Sequence, residues 1–162
     1  MEPVTAGWDN FFVAEVGASA ALTGLLFVAV SINLTRILQF PHLPARAAET
    51  MVVLLSVLMC GTLCLVPGLR GAVLGLALCV LWAAVCGTVS MIQWRSRVRP
   101  DPYHQMRFRL LTTHLPTLPV LLSGVSLILG RGGGLYWLVA ATILSFMAGM
   151  INAWVLLIEI QR

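Results

Sequence analysis

AETMVVLLSVLMCGTLCLVPGLRGAVLGLALCVLWAAVCGTVSMIQW, residues 48–94, carries a single charged side chain beyond Glu49, and that residue, Arg70, sits inside Pro67-Gly68-Leu69-Arg70-Gly71. One α-helix over the whole stretch would be roughly 70 Å long at about 1.5 Å per residue, more than twice the ~30 Å hydrocarbon core of a bilayer. The Pro-Gly segment therefore predicts a hairpin of two membrane-spanning helices, residues 48–66 and 72–94.

Outward from this hairpin, apolar windows of spanning length recur. The first covers residues 11–34, with Asp9 and Asn10 as candidate N-caps and Arg36 behind it. The fourth covers residues 110–129, and Gly130-Arg131-Gly132-Gly133-Gly134 turns it into the fifth, residues 135–160. Hydrophobic residues make up 59% of the 162-residue chain and charged ones 10%, with a mean hydropathy of +0.95. An ordinary soluble domain is about one quarter charged, so a water-soluble fold is excluded. The longest polar stretch, residues 95–109, has only the length of a loop, which leaves one transmembrane helical domain over residues 1–162. The expectation is an all-α integral membrane protein, a bundle of five transmembrane helices.

All ten basic residues are arginine, and their distribution sets the expected orientation, because short cytoplasmic loops gather positive charge. Arg36 and Arg46 lie in the first loop, Arg95, Arg97, Arg99, Arg107 and Arg109 in the third, and Arg162 at the C-terminus. Only Arg70 and Arg131 fall on the other side, beside an N-terminal segment with Glu2 and Asp9 and no basic residue. The reading is N-terminus outside and C-terminus cytoplasmic. The first helix is expected to be a retained span rather than a signal peptide, since no basic residue precedes it. The net charge of +4 belongs to this topology and not to nucleic-acid binding, because the arginines flank helix ends without interleaved aromatics. The five arginines of the third loop would meet anionic lipid headgroups at about 1 kcal/mol each.

Cys60, Cys64, Cys79 and Cys86 all lie within the second and third spans, where thiols pack as small apolar groups. Cys60 and Cys64 share a helix face, yet no His or acid in either window completes a metal site. Of His42, His104 and His114 only His114 lies in a span, which leaves no pair of axial haem ligands. No metal and no cofactor is expected. Phosphate-loop, dinucleotide, serine-hydrolase and HExxH patterns are missing, so the chain is not read as an enzyme.

The informative residues are polar groups at membrane depth, where a charge at a helix centre costs on the order of 2.5–3.5 kcal/mol. Glu15 opens a row with Ser19, Leu22, Leu26 and Asn33, and at about 100° per residue Glu15 and Asn33 are five full turns apart. Thr23 lies at its margin. This face is a candidate ion pathway; alternatively Glu15 is a helix-end acid paired with Arg70 or Arg131. Gly17/Ala21, Ala20/Gly24 and Gly71/Gly75 form small-xxx-small pairs that permit close helix packing, within a subunit or between subunits.

In the fourth span, Pro116 and Pro119 predict a kink that frees carbonyls around Thr112 and Leu115. Beside the titratable His114 these resemble an ion or proton site at a broken helix, although Thr112, Thr113 and Thr117 can satisfy a plain kink. Asn152 and Glu159 put two polar groups on one face of the fifth span, with Glu159 expected to pair with Arg36 or to cap the bundle end. Glu49 reads as a first-turn acid favoured by the helix dipole and Arg46.

WDNFFVAEVGA (residues 8–18) and LLFVAVSINL (residues 25–34) resemble the opening of small multi-pass actinobacterial proteins labelled modulators of FtsH protease. The resemblance covers the first helix and the loop of residues 36–46. It implies a bacterial inner-membrane location and brings no catalytic residue.

Two functions from different classes follow. One is a homo-oligomeric channel for small ions, in which copies of the first helix present Glu15, Ser19, Thr23 and Asn33 to a shared pore. The channel is the reading chosen from sequence, because that polar face needs a neighbour. The other is a non-catalytic accessory or regulatory subunit packed on another membrane complex.

Overall fold

A computed structural model of the chain describes residues 4–40, 42–96 and 113–161. Every regular element among them is helical: α1 (Asp9–Ile32), α2 (Leu34–Ile37), α3 (Leu43–Cys64), α4 (Gly71–Ser96), a 3-10 turn (Leu115–Thr117), α5 (Leu118–Leu129) and α6 (Tyr136–Gln161). Four of them, α1, α3, α4 and α6, are long and apolar enough to cross a membrane. The surface carries many large apolar side chains, and several polar groups are buried beside the apolar core. Ile32, Leu25, Trp94 and Trp154 point outward, whereas Glu15, Ser19, Glu49, Thr50, Thr142 and Ser145 are buried.

The expectation of five spans is met in part: four helices are of spanning length, and a shorter apolar one, Leu115–Leu129, lies within the fourth expected span. Within residues 110–129, α5 has 12 residues, a rise of roughly 18 Å, short of the ~30 Å core. Pro116 and Pro119 set where the 3-10 turn and α5 begin. Neither has an N–H to donate to a preceding turn, and each is accommodated only in the first turn of its element. Residues 110–112 lie outside the described set.

Two other boundaries move. Helix α1 is preceded by Trp8 at the N-cap position, with no side-chain cap bond, so the expected capping by Asp9 or Asn10 is not formed; Asp9 occupies the first turn. Helix α3 begins at Leu43, with Pro44 in its first turn. Glu49, expected as a first-turn acid, consequently sits in the second turn and is buried.

Helix α3 is the centre of the bundle and packs against α1, α4 and α6, while α5 closes the other side between α4 and α6. In their most apolar stretches 56% of α3 is buried but only 17% of α1, which makes α1 an edge helix. Helices α4 and α5 cross closely at two glycines. A Cβ on Gly75 would lie 2.6 Å from the Gly124 carbonyl oxygen, and one on Gly124 would lie 2.6 Å from Cys79 Sγ. Gly75 therefore fulfils the small-residue expectation inside the subunit. Gly17 and Gly24 do not: an added Cβ there meets nothing within 4 Å.

The glycine-rich turn after α5 is pinned by Ser126, whose hydroxyl donates to the Arg131 carbonyl and accepts the Gly134 N–H at 2.8 Å. Gly130 ends α5 in the left-handed region at φ +65°, a conformation that glycine adopts without a Cβ penalty.

Candidate functional site

Glu15 is the seventh residue of α1, 5% exposed, with Phe12 fully buried one turn before it and Ser19 fully buried one turn after. The face carrying Phe12, Glu15, Ser19 and Leu26 is the buried face of α1. It closes on α3 because residue 61 is glycine. A Cβ there would fall 2.8 Å from Val16 Cγ2, and 3.6 Å from both Glu15 Cδ and the Phe12 carbonyl oxygen. The Glu15 carboxyl thus lies against the α3 backbone, in the part of the bundle that holds the buried Cys60 and Cys64.

The third wall is α6. Thr142 Oγ1 stands 2.8 Å from Glu15 Oε1 and 2.9 Å from the Leu138 carbonyl oxygen of its own helix. A hydroxyl has one proton to donate and two lone pairs with which to accept. When Thr142 donates to Glu15, the carboxylate is the acceptor. When Thr142 donates to Leu138, a protonated Glu15 donates to Thr142. The same geometry accordingly serves both protonation states. Glu15 Oε2 is buried and has no hydrogen-bond partner among the described residues.

Helices α3 and α6 run antiparallel: Thr142 lies at the level of Gly61, Gly149 packs on Leu54, and Leu156 joins Leu43 and Ala47 in one apolar cluster. Thr142, Ser145, Gly149 and Asn152 fall within roughly 80° of arc on α6, and all four are buried. Between Ser145 and Asn152 the seam is apolar, filled by Leu54 against Gly149. The Ser and Thr side chains mostly bond their own helix: Ser19 to the Val16 carbonyl at 3.1 Å, Thr23 to that of Ser19 at 2.7 Å, Thr50 to that of Arg46 at 2.9 Å.

The candidate pathway residues are therefore split. Glu15 and Ser19 face the interior of one subunit, Thr23 is half-buried at its margin, and Asn33 lies beyond the end of α1 with its amide donating to the Ala29 carbonyl at 2.9 Å. Neither Arg70 nor Arg131 pairs with Glu15, and both are exposed. The polar face of α1 already has its neighbour, supplied by α3 and α6.

His114 is half-buried and its carbonyl accepts the Thr117 N–H at 3.2 Å and the Thr117 hydroxyl at 2.9 Å. The carbonyl expected to be free at Leu115 accepts the Leu118 N–H. The break is a capped kink at both described carbonyls; Thr112 lies outside the described residues. Asn152 is buried, and the Glu159 side chain is outside the described set. Arg95 is exposed in the last turn of α4, and Arg97, Arg99, Arg107 and Arg109 are outside it.

Thr142 was not singled out from sequence, because a lone threonine in an apolar span is ordinary. Its shared arc with Ser145 and Asn152 was the available signal. Compared with known protein families, with curated proteins and with solved structures, the chain matches none.

Proposed function

We propose that the chain is a non-catalytic accessory subunit of the membrane, which assembles on another integral membrane protein through the outward face of α1. The observation that carries this reading is the one-sidedness of α1. Its polar face is packed within the subunit, while Ala14, Gly17, Ala18, Ala21 and Gly24 lie exposed, with open space over both glycines. Small residues allow a second helix to approach backbone to backbone, the usual route to association where hydrocarbon offers no hydrophobic drive. The resemblance of residues 8–18 and 25–34 to modulators of a membrane protease is in keeping with such a role, in a bacterial inner membrane with the N-terminus outside.

A photoreactive residue at position 21, activated in native membranes, tests it. A stoichiometric adduct with a different membrane protein is expected. Adducts only with further copies of this chain, or with lipid alone, overturn the accessory reading.

A second reading, ion or proton permeation, is favoured by the unpartnered Oε2 of Glu15 and by the Thr142 hydroxyl that fits both protonation states. A pore made by copies of α1 would require Glu15 and Ser19 to leave the α3/α6 interface. Proton or cation flux in liposomes that disappears with Glu15→Gln would support permeation, and absence of wild-type flux would end it.

A further inference from the structure

Helices α1 and α6 both pack on α3 but scarcely touch each other, and the space between them is a groove of about 380 Å³. Its floor is Leu54 and Gly149, and its walls include Leu22, Ala29, Met150 and Ala153. Glycine at 149 keeps the floor low, since a Cβ there would lie 3.0 Å from Leu54 Cδ2. Ligand pockets typically hold about 300–1,000 Å³, largely apolar with a few polar groups placed to orient the ligand. Here the polar group is Asn33.

The groove is polar at one end only. Helix α1 stops at Ile32, Asn33 joins it to α2, and α2 sets Ile37 into the groove with Arg36 exposed immediately before it. Trp154, which lines the groove from α6, is largely exposed. Arginine and tryptophan are the residues that settle at headgroup depth. An apolar trough ending at an exposed cation is complementary in both shape and charge to one class of molecule, an anionic amphiphile.

We propose that the α1/α6 groove binds one acyl chain of an anionic phospholipid, with the phosphate held by Arg36. This site is separate from the outward face of α1 and does not depend on the accessory reading.

The test uses the full chain purified in mild detergent, with phosphatidylglycerol or phosphatidylcholine added and adducts counted by native mass spectrometry. The expected result is one retained phosphatidylglycerol per chain, bound in preference to phosphatidylcholine. Arg36→Gln should weaken phosphatidylglycerol roughly fivefold, the weight of one arginine beside an anionic headgroup, and leave phosphatidylcholine unchanged. Ala153→Trp and Ala29→Trp fill the groove from opposite walls and should each abolish the retained lipid, while Val80→Trp, on the exposed face of α4, should not. Two fillers guard against one failing to fold, and an unchanged thermal midpoint confirms each variant. Equal binding of the two lipids, or several adducts insensitive to both fillers, overturns the proposal.

Discussion

The Thr142 hydroxyl of α6 meets the Glu15 carboxyl of α1 at 2.8 Å, a contact across 127 residues of sequence. This hydrogen bond ties the edge helix to the far wall of the bundle, and it involves an acid whose other oxygen has no partner among the described residues. Thr142→Val keeps the side-chain shape and removes the hydroxyl that hydrogen-bonds that acid. Interhelical hydrogen bonds in membranes are worth about 0.6–1.7 kcal/mol, and stranding a buried acceptor adds to the loss. We expect a loss of about 1–3 kcal/mol in detergent unfolding. Glu15→Leu should cost less in the Thr142→Val background than in the wild type, and strict additivity of the two would show that the pair does not interact.

The glycines separate into two kinds with opposite expected phenotypes. Gly75→Ala and Gly124→Ala place a methyl against backbone or Cys79 Sγ at 2.6–2.8 Å, so α4 and α5 must move apart. Overpacking of this kind costs about 1–3 kcal/mol. Gly17→Ala and Gly24→Ala meet open space and should leave the thermal midpoint of the isolated protein in place. Gly24→Leu should still reduce the crosslink from position 21, because its methyls would hold a docking helix away. A destabilised Gly17→Ala would show that α1 packs differently from the arrangement described.

Ser126 holds the turn that carries Arg131. Without its hydroxyl the Arg131 carbonyl and the Gly134 N–H lose their partner. Ser126→Ala should cost about 1 kcal/mol and raise the rate of tryptic cleavage after Arg131, which is exposed. An unchanged cleavage rate would mean that the glycines alone set the turn.

Orientation has a direct readout. With the native cysteines replaced, a cysteine at Gly133 should react with a membrane-impermeant maleimide in intact cells, and one at Gln39 only after the membrane is opened. The reverse pattern would invert the arginine-based topology, leaving the packing of the bundle as described.

The hairpin of α3 and α4 was readable without coordinates, because no bilayer accommodates a helix of residues 48–94 and Pro67-Gly68 breaks it. The row Glu15, Ser19 and Leu26 was also readable as one face, since the 100° step of a helix is a local property. The direction of that face was not. A polar row in an apolar helix requires a neighbour, but a neighbouring subunit and a neighbouring helix of the same chain answer the requirement equally well. The choice fell to Gly61 and Thr142, 46 and 127 residues away along the chain, whose proximity no local pattern encodes.

The sequence by itself determined an all-helical chain, four helices long and apolar enough to cross a membrane, their turns and the side expected for each loop, all consequences of transfer free energy and backbone chemistry acting over about 20 residues. Only the tertiary structure decided that α5 begins at the Pro116–Pro119 break and that Glu15 turns inward. It also decided that α1 and α6 part to leave a groove, because these depend on how helices far apart in sequence fit their side chains together.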